Sequence, residues 1–282
     1  MKIFLKDNIN LKIALDELMQ GSGVIVIKDV FDLKEIELAR SIINKFADNQ
    51  EQKESHFNAE AESIGKIHLQ QRVWNLFAKD IVFSNLITHN IIFKLMSKFL
   101  GSEFFCGSYC ASRLLPGSPG QELHIDYPYW DYYKEGTFPM GLNSSFPQNC
   151  QATIPLDNCS SDSGATGFIP RSQKNLHYPN KSDDFSNLQQ MIAKPGDLVF
   201  FNGNCWHGAM PNKSDQQRAA LLIEFLPKYI KPVEDLTSYL DDDFKENSSD
   251  KIKQLLGLKY EYPKIMDKSK SVNQIGIGYK SK

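Results

Sequence analysis

Two patterns of apolar residues divide the chain. In its first hundred residues, apolar side chains recur at helical spacing in three segments, 8–20, 32–49 and about 72–100. Between the first two lies "GSGVIVIKDVF", whose glycines and unbroken apolar run predict a short buried strand. Asp32 is a candidate N-cap for the second helix, and Gly101 is a natural C-terminal cap for the third. The polar stretch 50–65 is expected to be a flexible loop.

The pattern changes between Glu103 and Leu226. Short apolar or alternating runs are separated there by Gly, Pro, Asn and Ser clusters: "EFFCGSYCASRLL", "QELHIDY", "CQATIPLD", "ATGFIPRS", "DLVFFNGNCWH" and "RAALLIEFLP". Several short strands with turn signals between them predict a β-sandwich or barrel. The charged tail contains one modest helix near 249–257. We therefore expect one domain over 1–282, with a helical flank at about 1–101, a β core at about 102–228 and a polar tail at about 229–282.

Composition narrows the function classes. The chain has 282 residues, of which 41% are hydrophobic, as is typical of a globular core. A net charge of -2 gives no electrostatic footprint for nucleic acid or an anionic membrane. No apolar run approaches the roughly 18 residues that would span a bilayer, and charges interrupt the N-terminal stretch as they would not in a signal peptide. We therefore expect a cytoplasmic protein that binds neither nucleic acid nor membrane.

The five cysteines are odd in number and scattered, without CxxC or CxxH spacing. This arrangement favours free thiols in a reducing compartment over a disulfide framework or a zinc site.

Candidate chemistry begins with "ELHIDYPYW" at 122–130. If this segment is extended, His124 and Asp126 project from the same face, because side chains at i and i+2 do so in a strand. Alone, the pair has two interpretations: a polar pair on a sheet surface, or two ligands of a metal site.

His207 and Arg218, which lie further along the chain, favour the metal site. His207 follows a strand that is introduced by a Pro-Gly turn. Two histidines and one carboxylate leave three positions open on a six-coordinate metal, which is the ligand set of non-haem Fe(II) oxygenases. Arg218 lies eleven residues further on, at the start of the next predicted strand, and a hairpin would bring it beside the metal. A guanidinium there would bind a carboxylate, such as the distal one of 2-oxoglutarate.

Together, "HID" at 124–126, "GDLVFFNGNCWHGAMPN" around His207, and Arg218 resemble the phytanoyl-CoA dioxygenase family. "IPLDNCSSDSGATGFIPRSQ" and "RVWNLFAKDIVFSNLITHNIIFKLMSKFLG" are also similar to that family, so that the resemblance runs from about residue 22 to about residue 228. One departure is visible. The family commonly reads Pro-Gly-Ser-His where this chain has Pro-Arg-Ser-Gln at 170–173.

The resemblance implies a mainly β protein with flanking helices, built on a double-stranded β-helix (a cupin-like jelly roll). It implies that His124, Asp126 and His207 hold Fe(II) and that Arg218 anchors 2-oxoglutarate. The expected reaction uses O2 and hydroxylates a small, polar metabolite, releasing succinate and CO2. The carboxylate of Asp126 favours hydroxylation or a related oxidation over halogenation, because iron halogenases on related scaffolds have a small residue there.

The residues that contact the substrate are harder to identify from the sequence than the metal ligands. Tyr127, Tyr129 and Trp130 could form a pocket wall or belong to the core, and Arg171 could contact an anionic substrate or be solvated. Two other functions stay open: a cupin-type metalloenzyme without 2-oxoglutarate, and a catalytically silent binding protein on the same scaffold. Arg218 argues against the first, and the intact ligand set argues against the second. The sequence does not decide the oligomeric state.

Overall fold

The computed structural model describes residues 1–49, 59–126, 148–175 and 177–259. The strands in these ranges are β1 (Lys2–Leu5), β2 (Val24–Lys28), β3 (Gln70–Val73), β4 (Phe105–Leu114), β5 (Cys150–Pro155), β6 (Thr166–Phe168), β7 (Gln189–Gln190), β8 (Leu198–Asn202), β9 (His207–Ala209) and β10 (Arg218–Leu226). The α-helices are α1 (Leu11–Met19), α2 (Leu33–Asp48), α3 (Ala59–Ser63), α4 (Ile81–Ile87), α5 (Asn90–Phe99), α6 (Asp242–Asn247) and α7 (Asp250–Leu255).

The strands form two sheets. The larger has seven strands in the order β1-β2-β8-β5-β10-β4-β3, and the smaller has three in the order β7-β6-β9. Neighbouring strands are antiparallel except for β1 and β2. Side chains from both sheets line one internal cavity, so the sheets face each other. This arrangement confirms the predicted jelly-roll core with flanking helices.

Strand β10 shows how the large sheet separates two environments. Its residues at 219, 221, 223 and 225 are apolar and belong to the main hydrophobic core. Arg218 and Leu222 lie on the opposite face and line the internal cavity. Because successive side chains of a strand point to opposite faces, one strand serves both the core and the candidate site.

Helices cover the outer face of the large sheet. Residues of α1, α2, α4, α5 and α7 all contribute to its hydrophobic core. Asp32 caps α2 by accepting a hydrogen bond from Lys34 N at 2.7 Å, as predicted. Gly101, just beyond α5, has φ 101°, a conformation that glycine adopts without steric cost.

The predicted helix at 72–100 is wrong in its first part. Residues 70–73 form β3, in which Arg72 pairs with Ser112 of β4 and Val73 pairs with Ala111. Hydrogen bonding to an existing sheet edge overrides the local helical pattern here. A short 3-10 helix follows at Leu76–Ala78, and α-helix begins only at Ile81. The loop expected over 50–65 contains the short helix α3 in its described part. In the tail, α7 buries Ile252 and Leu255 in the core.

All five cysteines are buried and carry free thiols, as expected. Within the described ranges, no helix has the length and apolar character needed to cross a bilayer.

Asp157 connects the helical layer to the start of β10. Its carboxylate accepts hydrogen bonds from Arg40 Nη1 at 3.0 Å, Gln217 Nε2 at 3.1 Å and the backbone N of Ala219 at 2.9 Å. Because Arg218 lies between the last two donors, this carboxylate fixes the backbone from which that guanidinium extends.

We expect Asp157→Ala to lower the free energy of unfolding by about 2–3 kcal/mol, because the buried Ala219 N–H loses its side-chain acceptor. Urea denaturation followed by circular dichroism measures this change. Asp215→Ala is the matched control, since Asp215 is exposed in the preceding turn, and it should change the value by no more than about 0.5 kcal/mol. Equal effects of the two substitutions would contradict the assigned role.

Candidate active site

His124, Asp126 and His207 lie together in the cavity between the two sheets. Their potential ligand atoms are all within 4.8 Å of one another. Asp126 Oδ1 is 3.6 Å from His124 Nε2, and Asp126 Oδ2 is 3.2 Å from His207 Nε2. The structure therefore brings together the three residues that the sequence indicated, and this donor set fits a divalent iron ion with open coordination positions.

The two histidines are held by each other's backbone. His124 N donates to His207 O at 2.8 Å, and His207 N donates to His124 O at 2.9 Å. This isolated antiparallel bridge places the two imidazoles side by side, with ring centroids 4.6 Å apart. In the described part of "QELHIDY", residues 121–126, the expected strand is reduced to one bridge, which is enough to fix the spacing of the rings.

Both imidazoles are oriented by backbone carbonyls. His124 Nδ1 is 2.8 Å from Glu122 O, and His207 Nδ1 is 2.8 Å from Cys205 O. A carbonyl oxygen can only accept, so we assign the proton of each neutral ring to Nδ1. Nε2 of each ring is then left with a free lone pair on the side of Asp126, as a metal ligand requires.

The electrostatics of the cluster favour an ionised carboxylate. Burial disfavours the charge of Asp126, but the charges and hydrogen bonds of His207 and His124 outweigh it and hold the pKa of Asp126 far below its usual range. Burial also acts to lower the pKa of His124, yet the hydrogen bond and charge of Asp126 leave that pKa above its ordinary value. A bound metal cation would likewise favour the ionised form of the carboxylate.

Arg218 lies in the same cavity, whose volume is about 120 Å³. The side chain is buried, and burial lowers the pKa of its guanidinium. Nη2 donates to the carbonyl of Gly164, whereas Nε has no hydrogen-bond partner among the described residues. A buried guanidinium donor without a partner calls for an acceptor from a ligand, and a carboxylate is the acceptor that fits it best.

A second guanidinium in the cavity was missed from the sequence. Arg72 lines the cavity from β3, with Nη1 3.3 Å from Cys110 Sγ. Its buried Nε has no partner in the part of the chain that the structure describes. The helical pattern assigned to residues after 72 hid this position. A strand of four residues is too short for alternation to reveal, so the sequence carries no local signal for Arg72.

Gln121 also lines the cavity, and its Oε1 accepts from Ala209 N at 3.3 Å. In an unbroken strand the spacing of three residues would put Gln121 and His124 on opposite faces, but this segment is not an unbroken strand. Further polar residues of the lining are Ser112 of β4, Gln151 and Thr153 of β5, and Thr166 of β6.

Arg171, a further candidate from the sequence, lies elsewhere. Arg171 is exposed and is not among the residues that line the cavity. It has φ 70°, a left-handed conformation, at the position where the family pattern has glycine. The neighbouring Gln173 is fully buried and donates to Gly21 O at 3.1 Å. This departure therefore falls at a contact with the loop before β2. Tyr127, Tyr129 and Trp130 are outside the described residues.

Comparison with known proteins identifies the family. The profile of the phytanoyl-CoA dioxygenases (PhyH) matches residues 19–220, well over half of the chain. The chain belongs to this family, and it is an enzyme, a 2-oxoglutarate-dependent dioxygenase that uses Fe(II) and O2.

Curated relatives agree with this assignment. The chain is 26% identical over 231 residues to the dioxygenase cdmA of Talaromyces verruculosus, covering 77% of this chain and 73% of the relative. It is 22% identical over 249 residues to the dioxygenase andF of Emericella variicolor, covering 86% and 83%.

Solved structures share the fold. HygX from Streptomyces hygroscopicus, solved with nickel and 2-oxoglutarate bound, superimposes with a TM-score of 0.60 at 15% identity, covering 80% of this chain and 90% of that one. The epimerase SnoN, in complex with Fe3+, alpha ketoglutarate and nogalamycin RO, gives a TM-score of 0.59 at 14% identity, with coverage of 77% and 83%.

We expect His124→Ala and His207→Ala each to weaken Fe(II) binding by at least about 100-fold, since removing a ligand should cost more than removing one of its outer hydrogen-bond partners. Anaerobic competition with a coloured chelator measures the affinity. His68→Ala is the control, because His68 is exposed and outside the cavity. Unchanged Fe(II) affinity in either variant would remove that histidine from the ligand set.

Proposed function

We propose that this enzyme hydroxylates a small, polar metabolite and converts 2-oxoglutarate and O2 to succinate and CO2 in the same reaction. One observation carries the proposal: the His124–Asp126–His207 cluster and the buried guanidinium of Arg218 line a single cavity. A metal alone would not need the arginine, and a carboxylate site alone would not need the cluster.

The three ligand residues have the task of holding Fe(II) while leaving coordination positions for the co-substrates. Bound Fe(II) supplies the redox chemistry that activates O2. The backbone carbonyls of Glu122 and Cys205 orient the two imidazoles before the metal arrives, and Asp126 supplies the negative charge. No protein group is required as a general base. The chain's contribution is to position the reactants and to exclude water.

The cavity matches 2-oxoglutarate in charge. This co-substrate carries two carboxylates, and the cavity presents two guanidinium groups, from Arg218 and Arg72. Each has a buried Nε for which residues 1–49, 59–126, 148–175 and 177–259 supply no partner, so a bound dianion would give these donors an acceptor. We assign Arg218 to the distal carboxylate and Arg72 to a supporting contact.

The lining supports a polar substrate. Gln121, Gln151 and Thr153 offer amide and hydroxyl groups toward the cavity. Among proteins of the same fold, HygX has been solved with hygromycin B and SnoN with nogalamycin RO, so this architecture accommodates small-molecule substrates. A cupin-type metalloenzyme without 2-oxoglutarate is disfavoured, because the buried Nε donors of two guanidinium groups would then lack a ligand.

Anaerobic titration with Fe(II) and 2-oxoglutarate tests the proposal through the weak visible charge-transfer band of the chelated complex. Wild type should develop the band. Arg218→Ala should raise the apparent Kd for 2-oxoglutarate about 10- to 100-fold, because a charge-assisted hydrogen bond to the co-substrate is lost. Arg72→Ala should raise it less.

Lys213→Ala serves as the control, since Lys213 is exposed in the turn before β10. It should leave the Kd for 2-oxoglutarate unchanged. A folded wild type that binds Fe(II) but shows no band would refute the 2-oxoglutarate assignment and favour the cupin-type or silent alternatives.

A further inference from the structure

Residues 177–185 lie against both segments that carry the candidate metal ligands; we call them the clamp segment. Tyr178 Oη donates to Ile125 O at 3.2 Å, and Ile125 is the residue between His124 and Asp126. The indole Nε1 of Trp206 donates to His177 O at 3.1 Å, and Trp206 directly precedes His207. One short segment thus contacts the chain beside all three ligands.

Apolar packing reinforces these two hydrogen bonds. Ile125, Ile169 and Trp206 form a small buried cluster of their own, separate from the main core. Phe185 of the clamp segment packs edge-on against Trp206, with ring centroids 6.2 Å apart. The imidazole of His177 also packs against this indole, with ring centroids 5.1 Å apart. The clamp segment is therefore anchored on the ligand segments themselves.

The hydrogen bond from Tyr178 acts on a specific peptide unit. Ile125 C=O and Asp126 N–H belong to one planar peptide group. The hydroxyl of Tyr178 donates a hydrogen bond to the oxygen of this peptide group. The nitrogen of the same group donates to Gly203 O at 3.3 Å. Fixing both ends of this plane limits rotation about the backbone bonds of Asp126 and so sets the direction of its side chain. Asp126 needs these two hydrogen bonds, because between His124 and Asp126 the β-bridge of His124 is not continued by regular strand pairing.

We propose that Tyr178 is a positioning residue of the metal centre, which fixes the Ile125–Asp126 peptide so that the Asp126 carboxylate faces the two histidines. This inference rests on the proposed function, since it takes Asp126 as a ligand. Burial and the nearby charge of Asp126 raise the pKa of Tyr178, so the hydroxyl stays protonated and remains a donor.

Tyr178→Phe removes the hydroxyl and keeps the ring. It should weaken Fe(II) binding about 3- to 10-fold and shift the charge-transfer band of the Fe(II)–2-oxoglutarate complex, because one hydrogen bond that orients a ligand is lost. Tyr239→Phe is the matched control, since Tyr239 is 67% exposed, and it should change neither value. A purely structural role would instead lower the melting temperature of the metal-free protein and leave Fe(II) affinity and the band as in wild type.

A second arm covers the case in which Tyr178→Phe fails to fold. Trp206→Phe removes the indole N–H that holds His177 O and keeps an aromatic ring, and it should also weaken Fe(II) binding. If the clamp segment acts as one unit, the double variant should lose less affinity than the product of the two single losses.

The outcomes separate the two proposals. A wild type that does not bind Fe(II) overturns the proposed function and this inference with it. A wild type that binds Fe(II) and shows the band, together with single variants of unchanged Fe(II) affinity, overturns the role of Tyr178 alone.

Discussion

The mutual backbone pairing of His124 and His207 is the constraint on which the site depends. Two N–H···O bonds join residues that are 83 positions apart in the chain. They fix the spacing of the imidazoles before any metal binds, so the cost of ordering the ligands is met during folding. The carbonyl contacts at each Nδ1 then point both Nε2 atoms toward Asp126. The other hydrogen bonds of the site orient side chains whose spacing the backbone pairing of His124 and His207 has already fixed.

The fold keeps opposite chemistries apart on the two faces of one sheet. The outer face of β10 belongs to the apolar core under the helices, whereas its inner face begins with Arg218 in the cavity. Burying a guanidinium is unfavourable unless its donors are satisfied. Within the described ranges, the Nε atoms of Arg218 and Arg72 have no acceptor. If 2-oxoglutarate binds as proposed, its carboxylates would satisfy these donors, and we expect the co-substrate to stabilise this interior.

Local pattern predicted much of the fold and of the site. The cap at Asp32, the buried strand β2 and the strands β4 and β10 follow from residues adjacent in sequence, and the structure confirms each of them. His124, Asp126, His207 and Arg218 were also identifiable, because each lies in a motif of a few residues. Whether those residues meet depends on the topology, but the type of site does not.

Other features were decided only by the tertiary structure. Arg72 enters the cavity because β3 pairs with the edge of β4, and a local helical pattern cannot report a hydrogen-bonding partner about forty residues away. Gln121 faces the cavity because its segment makes one bridge and no regular strand. Tyr178 reaches Ile125 across 53 positions through a segment without regular structure. The sequence alone determined which chemical groups the site would use, because short motifs encode them; long-range packing determined which side chains surround those groups, because that packing depends on contacts between distant parts of the chain.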